Sequence, residues 1–325
     1  MRRVRYYEYG GPEVLRVEEA DLPEPGPGEV LIRAGAIGAN FVDTKIRTGP
    51  AAGAIYQRPL PGRLTGDVVG TVEAVGPGTD PALVGRRVAA LVAEDAYADH
   101  VVTEAAWLAE VPAGLDDAGA SILPTAAPVA LATLRAGRLA PGETVLVHAA
   151  AGVIGHLAVQ FAKLLGAGTV VAAVGSPDKF DFVRAYGADA AVDHRADDWP
   201  DQVRKAAPRG VDVVLDSVGG ETLRQSVDLL APQGRAVVYG FAGGDFTGVP
   251  PLSLVALKSL TGFSLLAKRA AAPEAARQDI TEATEHALAG RLRTAVHAQL
   301  PLTDAAEAHR LLEDRGRMGR VLLVP

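Results

Sequence analysis

The 325-residue chain contains no cysteine. That absence excludes disulfides, thiolate zinc sites and a cysteine nucleophile. No run of about 18 apolar residues occurs, so nothing reads as a membrane span. The start, MRRVRYYEYGG, carries charges with no apolar core behind them, unlike a secretory leader. A cytoplasmic location is therefore expected. Positive charge is not in excess: a net charge of −7 argues against a general nucleic-acid surface, an RNA-binding side role or an anionic-membrane surface. The seven histidines, His100, His148, His156, His194, His286, His297 and His309, form no ligand-spaced cluster. No Ser-His-Asp or paired-carboxylate arrangement points to hydrolysis, and no flavin signature, internal repeat or low-complexity segment is present.

Against these absences stand 48% hydrophobic and 22% charged residues, ample for sizeable cores. At about 150 residues per domain the length suggests two domains. Residues 144–166, TVLVHAAAGVIGHLAVQFAKLLG, organise the rest. A β-branched and apolar run, 144–148, predicts a strand. Ile154, Leu157, Ala158, Phe161, Ala162 and Leu165 then recur at helical spacing until Gly166 stops the helix. Between them lies Ala149-Ala150-Ala151-Gly152-Val153-Ile154-Gly155. Small residues at 149, 152 and 155 allow a sharp turn, bring bare backbone N–H groups close to a ligand and pack the helix on its strand. The helix N-terminus favours an anion such as a pyrophosphate. Such a turn is also compatible with a merely structural role, and its context decides between them.

Residues 1 to about 120 read as β-rich. Candidate strands at 15–18, 29–36, 67–75, 87–92 and 97–102 are separated by turns such as Gly26-Pro27-Gly28 and Gly76-Pro77-Gly78. From 144 onward strands at 144–148, 169–174, 190–193, 211–216 and 235–239 alternate with helices at 154–165, 179–186, 199–207 and 221–230. That alternation predicts right-handed βαβ units and a parallel, doubly wound α/β sheet, the place where a dinucleotide turn belongs. Helices at 273–288 and 304–314 and a final strand at 321–324 follow. A tail strand behind a β-rich first third is expected to return to it.

These residues resemble the zinc-free, ζ-crystallin-like quinone oxidoreductases of the medium-chain dehydrogenase/reductase superfamily. The resemblance runs through Gly38-Ala39-Asn40-Phe41-Val42-Asp43-Thr44, Ile46-Arg47-Thr48-Gly49, Gly66-Asp67-Val68-Val69-Gly70, His148-Ala149-Ala150-Ala151-Gly152, Leu215-Asp216-Ser217-Val218-Gly219-Gly220 and Gly319-Arg320-Val321-Leu322-Leu323-Val324-Pro325. It implies a chaperonin-10-like catalytic domain from residues 1–121, completed by 260–325, around a Rossmann domain at 122–259. Zinc-dependent relatives carry Cys-His where this chain has Asn40-Phe41, Gly-His-Glu where it has Thr65-Gly66-Asp67, and a four-cysteine lobe that is missing. No metal site is expected.

The cofactor expectation is NADPH. An NAD site places a carboxylate at the end of the second strand, about 20 residues past the glycine turn. Here that strand ends in Val174-Gly175-Ser176, with no acid at its tip. Ser176, Lys179 and Arg195 supply the hydroxyl and cationic donors that a 2′-phosphate favours. By resemblance Ser176, Lys179 and His194 line that pocket, although relatives often have Tyr at the last. Ser176-Pro177-Asp178-Lys179 is equally a good helix start, with Ser176 as N-cap and Lys179 a solvated lysine. The resemblance further assigns Gly152, Val153, Ile154, Gly155, Ser217, Gly240, Phe241, Phe263 and Arg320 to the dinucleotide. Phe263 also suits a core, and Ala127-Pro128-Val129 replaces a Gly-Leu-Thr whose hydroxyl lies near the cofactor in relatives. Val153 stands where relatives have glycine. A positive φ there would strain it by about 1–3 kcal/mol, whereas a turn already helical at Val153 would not.

With neither metal nor flavin, the simplest chemistry is direct hydride transfer from a nicotinamide to a small electron-poor acceptor, by proximity and orientation. A quinone suits it, and an enone or enoyl thioester is the alternative. Candidate donors or orienting groups are Asn40, Asp43, Arg47 and Tyr56, with Asn40 and Tyr56 the catalytic expectation and Asn40 also able to bond the nicotinamide. The spacing of Asp43 and Arg47 favours an i,i+4 salt bridge. A dinucleotide-binding protein without turnover is the non-catalytic reading. Relatives imply a homodimer or homotetramer.

Overall fold

In the computed structural model, which describes Met1–Pro325, the strongest local signals become strands at the expected residues. The chain lays down β1 (Arg2–Arg5), β2 (Arg16–Glu19), β3 (Glu29–Ala39), β4 (Gly66–Val75), β5 (Arg87–Val92), β6 (His100–Glu104) and β7 (Ala109–Glu110). It continues through β8 (Thr144–Val147), β9 (Thr169–Val174), β10 (Ala190–Asp193), β11 (Val211–Asp216), β12 (Leu230–Val238) and β13 (Ser259–Gly262), and ends with β14 (Val296–Pro301) and β15 (Arg320–Val324). Two compact units result: Met1–Thr125 with Ile280–Pro325, and Ala126–Asp279. No helix is long and apolar enough to cross a membrane.

In the second unit β8 to β13 pair only in parallel, in the order β10-β9-β8-β11-β12-β13. This is the doubly wound sheet that the alternating pattern predicts. Parallel strands covered on both faces need apolar residues at every position rather than at alternate ones. Val170, Val171, Ala172 and Ala173 of β9 are accordingly all buried. Leu146, Val171, Val192 and Val214 meet Trp199, Val203, Leu223 and Val227 on one face. Helices Ala126–Ala136 and Val153–Leu164 pack together against the sheet. The winding reverses between β8 and β11, so the crevice that such sheets use for ligands opens at their carboxyl ends. The sixth strand, β13, was not legible in the sequence. Its pairing with β12, Arg235 opposite Ser259 through Val238 opposite Gly262, corrects the expected boundary at 259/260, because that cut would leave the strand outside its sheet.

In the first unit the order is β14-β15-β3-β4-β5-β7, with β6 also on β3. All of these pairs are antiparallel except β14 with β15. The tail strand returns as expected: Val321 lies opposite Ala39 and Leu322 opposite Gly38. Tyr6, Ile32, Ile37, Leu64, Val68 and Tyr97 form the centre of this core, and Leu302, Ala308 and Leu312 of the tail pack into it.

Candidate functional site

The glycine turn forms as strand, turn and helix. After β8, His148 donates its backbone N–H to Leu215 O and Ala150 to Ala173 O, which pins the turn between β9 and β11. The left-handed residue is Ala149, at φ +48°. Gly152 is the N-cap, extended at φ −75° and ψ 174°, and helix Val153–Leu164 starts immediately after it. Val153 is thus helical and unstrained, which resolves the alternative left open by its β-branched side chain. No side chain caps this helix. Its first-turn N–H groups, those of Val153, Ile154 and Gly155, are the ones an α-helix cannot satisfy internally, and they form a ready anion site. Gly155 is required for a different reason. A Cβ there would lie 2.2 Å from Ala149 O and 2.6 Å from Ala150 Cα.

The parallel register sets Val174 opposite Asp193, so the residues that follow, Gly175-Ser176 and His194-Arg195, emerge side by side. A Cβ on Gly175 would be 3.7 Å from His194 Cε1 and 3.8 Å from Arg195 Cδ. Ser176 occupies the N-cap of the one-turn helix Pro177–Lys179, but its hydroxyl makes no capping bond. Lys179, expected as a solvated lysine in the bland alternative, is buried to 9% exposure. Asp193 ends β10 rather than β9 and accepts from Arg195 N at 3.0 Å. Burial holds the His194 imidazole below its usual value, and its Nδ1 has no partner. His148 packs edge-on against the His194 ring at 6.3 Å and against Trp199 at 5.5 Å.

At the tips of β11 and β12, Asp216 Oδ1 accepts from Val218 N and Gly219 N at 3.0 and 2.7 Å, while Oδ2 is buried without a partner. Burial pushes this carboxyl up to about 6. Ser217 O accepts from Ala242 N, and Gly240 packs against Ser217, so Ser217, Gly240 and Phe241 come together. Phe263 follows β13, bonds Val238 O through its N–H and is half-buried rather than core.

In the first unit β3 delivers Asn40 to the N-cap of helix Phe41–Thr48, where its side chain does no capping. The amide oxygen instead accepts from Arg320 Nη1 at 2.9 Å. Arg320 Nη2 donates to Asp67 Oδ2 and, at 3.0 Å, to Ser121 O. Thr125 Oγ1 donates to the other Asp67 oxygen. Both side chains of the Arg320–Asp67 pair are fully buried. Arg320, expected at the dinucleotide, is held by these partners through both terminal nitrogens, while its Nε is buried without a partner.

The expected Asp43–Arg47 salt bridge does not form. Both residues lie on the buried face of their helix and find partners from distant chain. Asp43 accepts from Thr65 N at 2.7 Å and Thr65 Oγ1 at 3.0 Å. Arg47 donates to His309 Nδ1, Glu313 and Gly10 O. Burial pushes the Asp43 carboxyl up to about 7, with nearby Asp67 adding to the effect of desolvation. Thr65 also lines a cavity of about 290 Å³ together with Ile46, Arg58, Arg63 and Glu94. Tyr56 closes the short helix Ala54–Tyr56, half-buried, its hydroxyl pushed up by burial. No hydrogen bond joins Tyr56 to the Asn40 cluster. Sequence reasoning missed Thr65 as the partner of Asp43, and Asp67, Ser121 and Thr125 as members of that cluster. Only the buried charges in an apolar strand, Asp67 and Arg320, could have signalled it.

Residues 153–284 match the family described as zinc-binding dehydrogenase, and residues 26–113 match the alcohol dehydrogenase GroES-like domain. The chain is 35% identical to the quinone oxidoreductase of Pseudomonas aeruginosa, covering 100% of this chain and 99% of that one. It is 34% identical to the 2-haloacrylate reductase of a Burkholderia species, over 98% and 97% of the two chains. A mycobacterial protein solved in complex with NADPH superposes with a TM-score of 0.91 at 36% identity, over the whole of both chains.

Proposed function

This chain belongs to the quinone oxidoreductases of the medium-chain dehydrogenase/reductase superfamily, and from that premise we propose that it reduces a quinone with NADPH by direct hydride transfer. The observation that carries the cofactor half is the tip of β9, where a hydroxyl and two cations, Ser176, Lys179 and Arg195, stand and no carboxylate does. The bare first turn at Val153, Ile154 and Gly155 fits a pyrophosphate. When bound, NADPH would supply the hydride. The protein's part is to bind both reactants, exclude water and steady the charge that the acceptor gains. Replacing Lys179 by Glu should raise the Michaelis constant for NADPH at least about tenfold and that for NADH far less, because only the former carries the phosphate. Equal effects on both would refute the assignment.

Zinc does not fit this site. Phe41 has no donor, and Asn40 and Asp67 are committed to Arg320. A zinc site needs three or four protein ligands. The reaction proposed here therefore runs without one.

A second reading, reduction of an activated double bond, draws support from the similarity to a 2-haloacrylate reductase. Carbon must then be protonated, and Asp43, near neutrality in its ionisation and bonded to a threonine that lines the cavity, is a candidate proton source. Steady-state NADPH oxidation with 1,4-benzoquinone, 9,10-phenanthrenequinone, an enone and crotonyl-CoA separates the readings. Quinone turnover is expected, and activity confined to the enone or thioester would transfer the assignment to the second reading. Turnover of none of them, with NADPH still bound, would leave a dinucleotide-binding protein without catalysis.

Association with a second copy belongs to the same proposal. The sheet edge β13 is solvent-exposed, and Leu252, Val255 and Leu257 beside it are each more than 70% exposed. Light scattering should give at least twice the 33.6 kDa chain mass, and a monomeric mass would refute pairing.

A further inference from the structure

We propose that the cavity beside Thr65 is a binding site for a small organic anion, a carboxylate carried on an apolar body. Its walls divide by chemistry. Ile46, Pro59, Leu60, Pro61 and Ala93 give it an apolar side, and Arg58, Arg63 and Glu94 give it charge. At about 290 Å³ it lies at the lower end of the range of small-molecule pockets, with room for one compact ring or a short chain.

The charges do not cancel. Arg63 donates to Glu94 through Nη1 and brings Nε to 3.8 Å from Asp95 Oδ2. Asp95 is held in turn by Arg5, whose Nε and Nη2 each meet one of its oxygens. Both of these carboxylates therefore have cations of their own, whereas Arg58 has no carboxylate partner. Arg58 Nη1 donates to Ile55 O at 3.0 Å and to Gln57 O at 2.8 Å, and Tyr9 Oη donates to Arg58 O. Those bonds fix the backbone and one corner of the guanidinium, while Nε and Nη2 donate to nothing in the chain. Arg5, Arg58 and Arg63 thus stand against Glu94 and Asp95, and the surplus positive charge rests on the residue with donors to spare.

Each feature narrows the ligand. A bare inorganic anion would satisfy Arg58 and leave the apolar wall in water. A neutral molecule would cover the wall and leave the guanidinium donors unmatched, and a cation would meet the surplus charge. An organic carboxylate answers both, because Nε and Nη2 form the edge from which a guanidinium gives a carboxylate two parallel bonds. This inference is independent of the proposed hydride transfer, since it needs neither nicotinamide nor turnover.

The test is a ligand-observed NMR titration of the chain, without NADPH, using benzoate and benzamide, which share a shape and differ in charge. Benzoate should bind about three- to tenfold more tightly, the effect of a well-formed charge pair open to solvent. Arg58→Gln should bring benzoate down to the level of benzamide and leave benzamide unchanged. Arg58 is exposed, so the substitution removes no core packing. Ala93→Leu, at an exposed position on the apolar wall, should weaken both probes alike, which places them in this cavity. Raising NaCl from about 0.05 to 0.5 M should weaken benzoate alone and reads the same contact in the unaltered chain. Equal binding of the two probes, no binding of either, or benzoate binding that ignores Arg58→Gln would overturn the proposal. An acid in this cavity has two sources, a hydride acceptor or an occupant that is not reduced, and NADPH oxidation separates them. Turnover of trans-3-benzoylacrylate in preference to its ethyl ester, with the preference lost in Arg58→Gln, identifies an acceptor. Inhibition of 1,4-benzoquinone reduction by benzoate without that preference identifies an unreduced occupant. Absence of all turnover would strike the proposed activity and leave the binding result to decide this site.

Discussion

Gly155→Ala is expected to destabilise the chain by more than about 3 kcal/mol in urea and to weaken NADPH binding at least about a hundredfold by fluorescence titration. The new methyl would sit 2.2 Å from Ala149 O, 2.6 Å from Ala150 Cα and 2.8 Å from Ala149 C. All three are backbone atoms of the preceding turn, and none can rotate away as a side chain would. Relief requires helix Val153–Leu164 to lift off β8, which moves the uncapped N–H groups of Val153 and Ile154 out of register. Gly152→Ala is the internal control. Its Cβ would meet only Ala149 O, at 3.2 Å, and its φ of −75° suits any residue. The two glycines of one motif should therefore differ by an order of magnitude or more in their effect. Equal, mild behaviour at both would show that the turn is not held as described.

The contrast also marks what local sequence can and cannot carry. β9 and β11 fall on the expected residues because a strand buried on both faces must be largely apolar, and that signal is local. β13, four residues ending in Gly262 and largely exposed, has no such signal and exists because β12 offers it a partner. β14, with His297, Gln299 and Pro301, is drawn into parallel pairing by β15 in the same way. At the site, the turn and the Ser176-Lys179-Arg195 set were legible because consecutive strand tips in a doubly wound sheet are neighbours by rule. The Asp43–Arg47 spacing misled for the opposite reason. Residues four apart on a helix are neighbours, but these two are buried, and a buried charge takes whichever partner reaches it. For Arg47 that partner includes His309 and for Asp43 it is Thr65, neither predictable from spacing. The Arg320 cluster joins residues 253 apart in sequence, and no pattern short of the fold brings them together.

Asp43→Asn should remove the share of the pH dependence of stability between pH 4 and 8 that Asp43 contributes to the wild-type chain. The Asp43 carboxyl is pushed up to about 7 by burial, against about 3.9 in an unfolded chain. Over that interval the native state holds a proton that the unfolded state has lost. Stability from this group is therefore complete below about pH 4 and is lost as the pH rises through 7, with a limiting slope of about 1.4 kcal/mol per unit. The full loss is on the order of 4 kcal/mol as an upper bound. Other groups overlap it: Asp216, up to about 6, adds to the loss, while His148 and His309, pushed down to about 3 by burial, lose their contribution as the pH falls below 6.5. The difference between wild type and variant isolates Asp43 from all three. Asparagine can keep both bonds, its oxygen accepting from Thr65 N and its amide donating to the Thr65 hydroxyl. The variant should accordingly match or fall slightly below wild type at pH 5 and exceed it at pH 8 in urea titrations. A difference that does not change with pH would mean that Asp43 is ionised in the native protein across the whole interval. It would also remove Asp43 as the proton source for double-bond reduction, because a carboxylate already ionised at pH 5 has no proton to pass through Thr65.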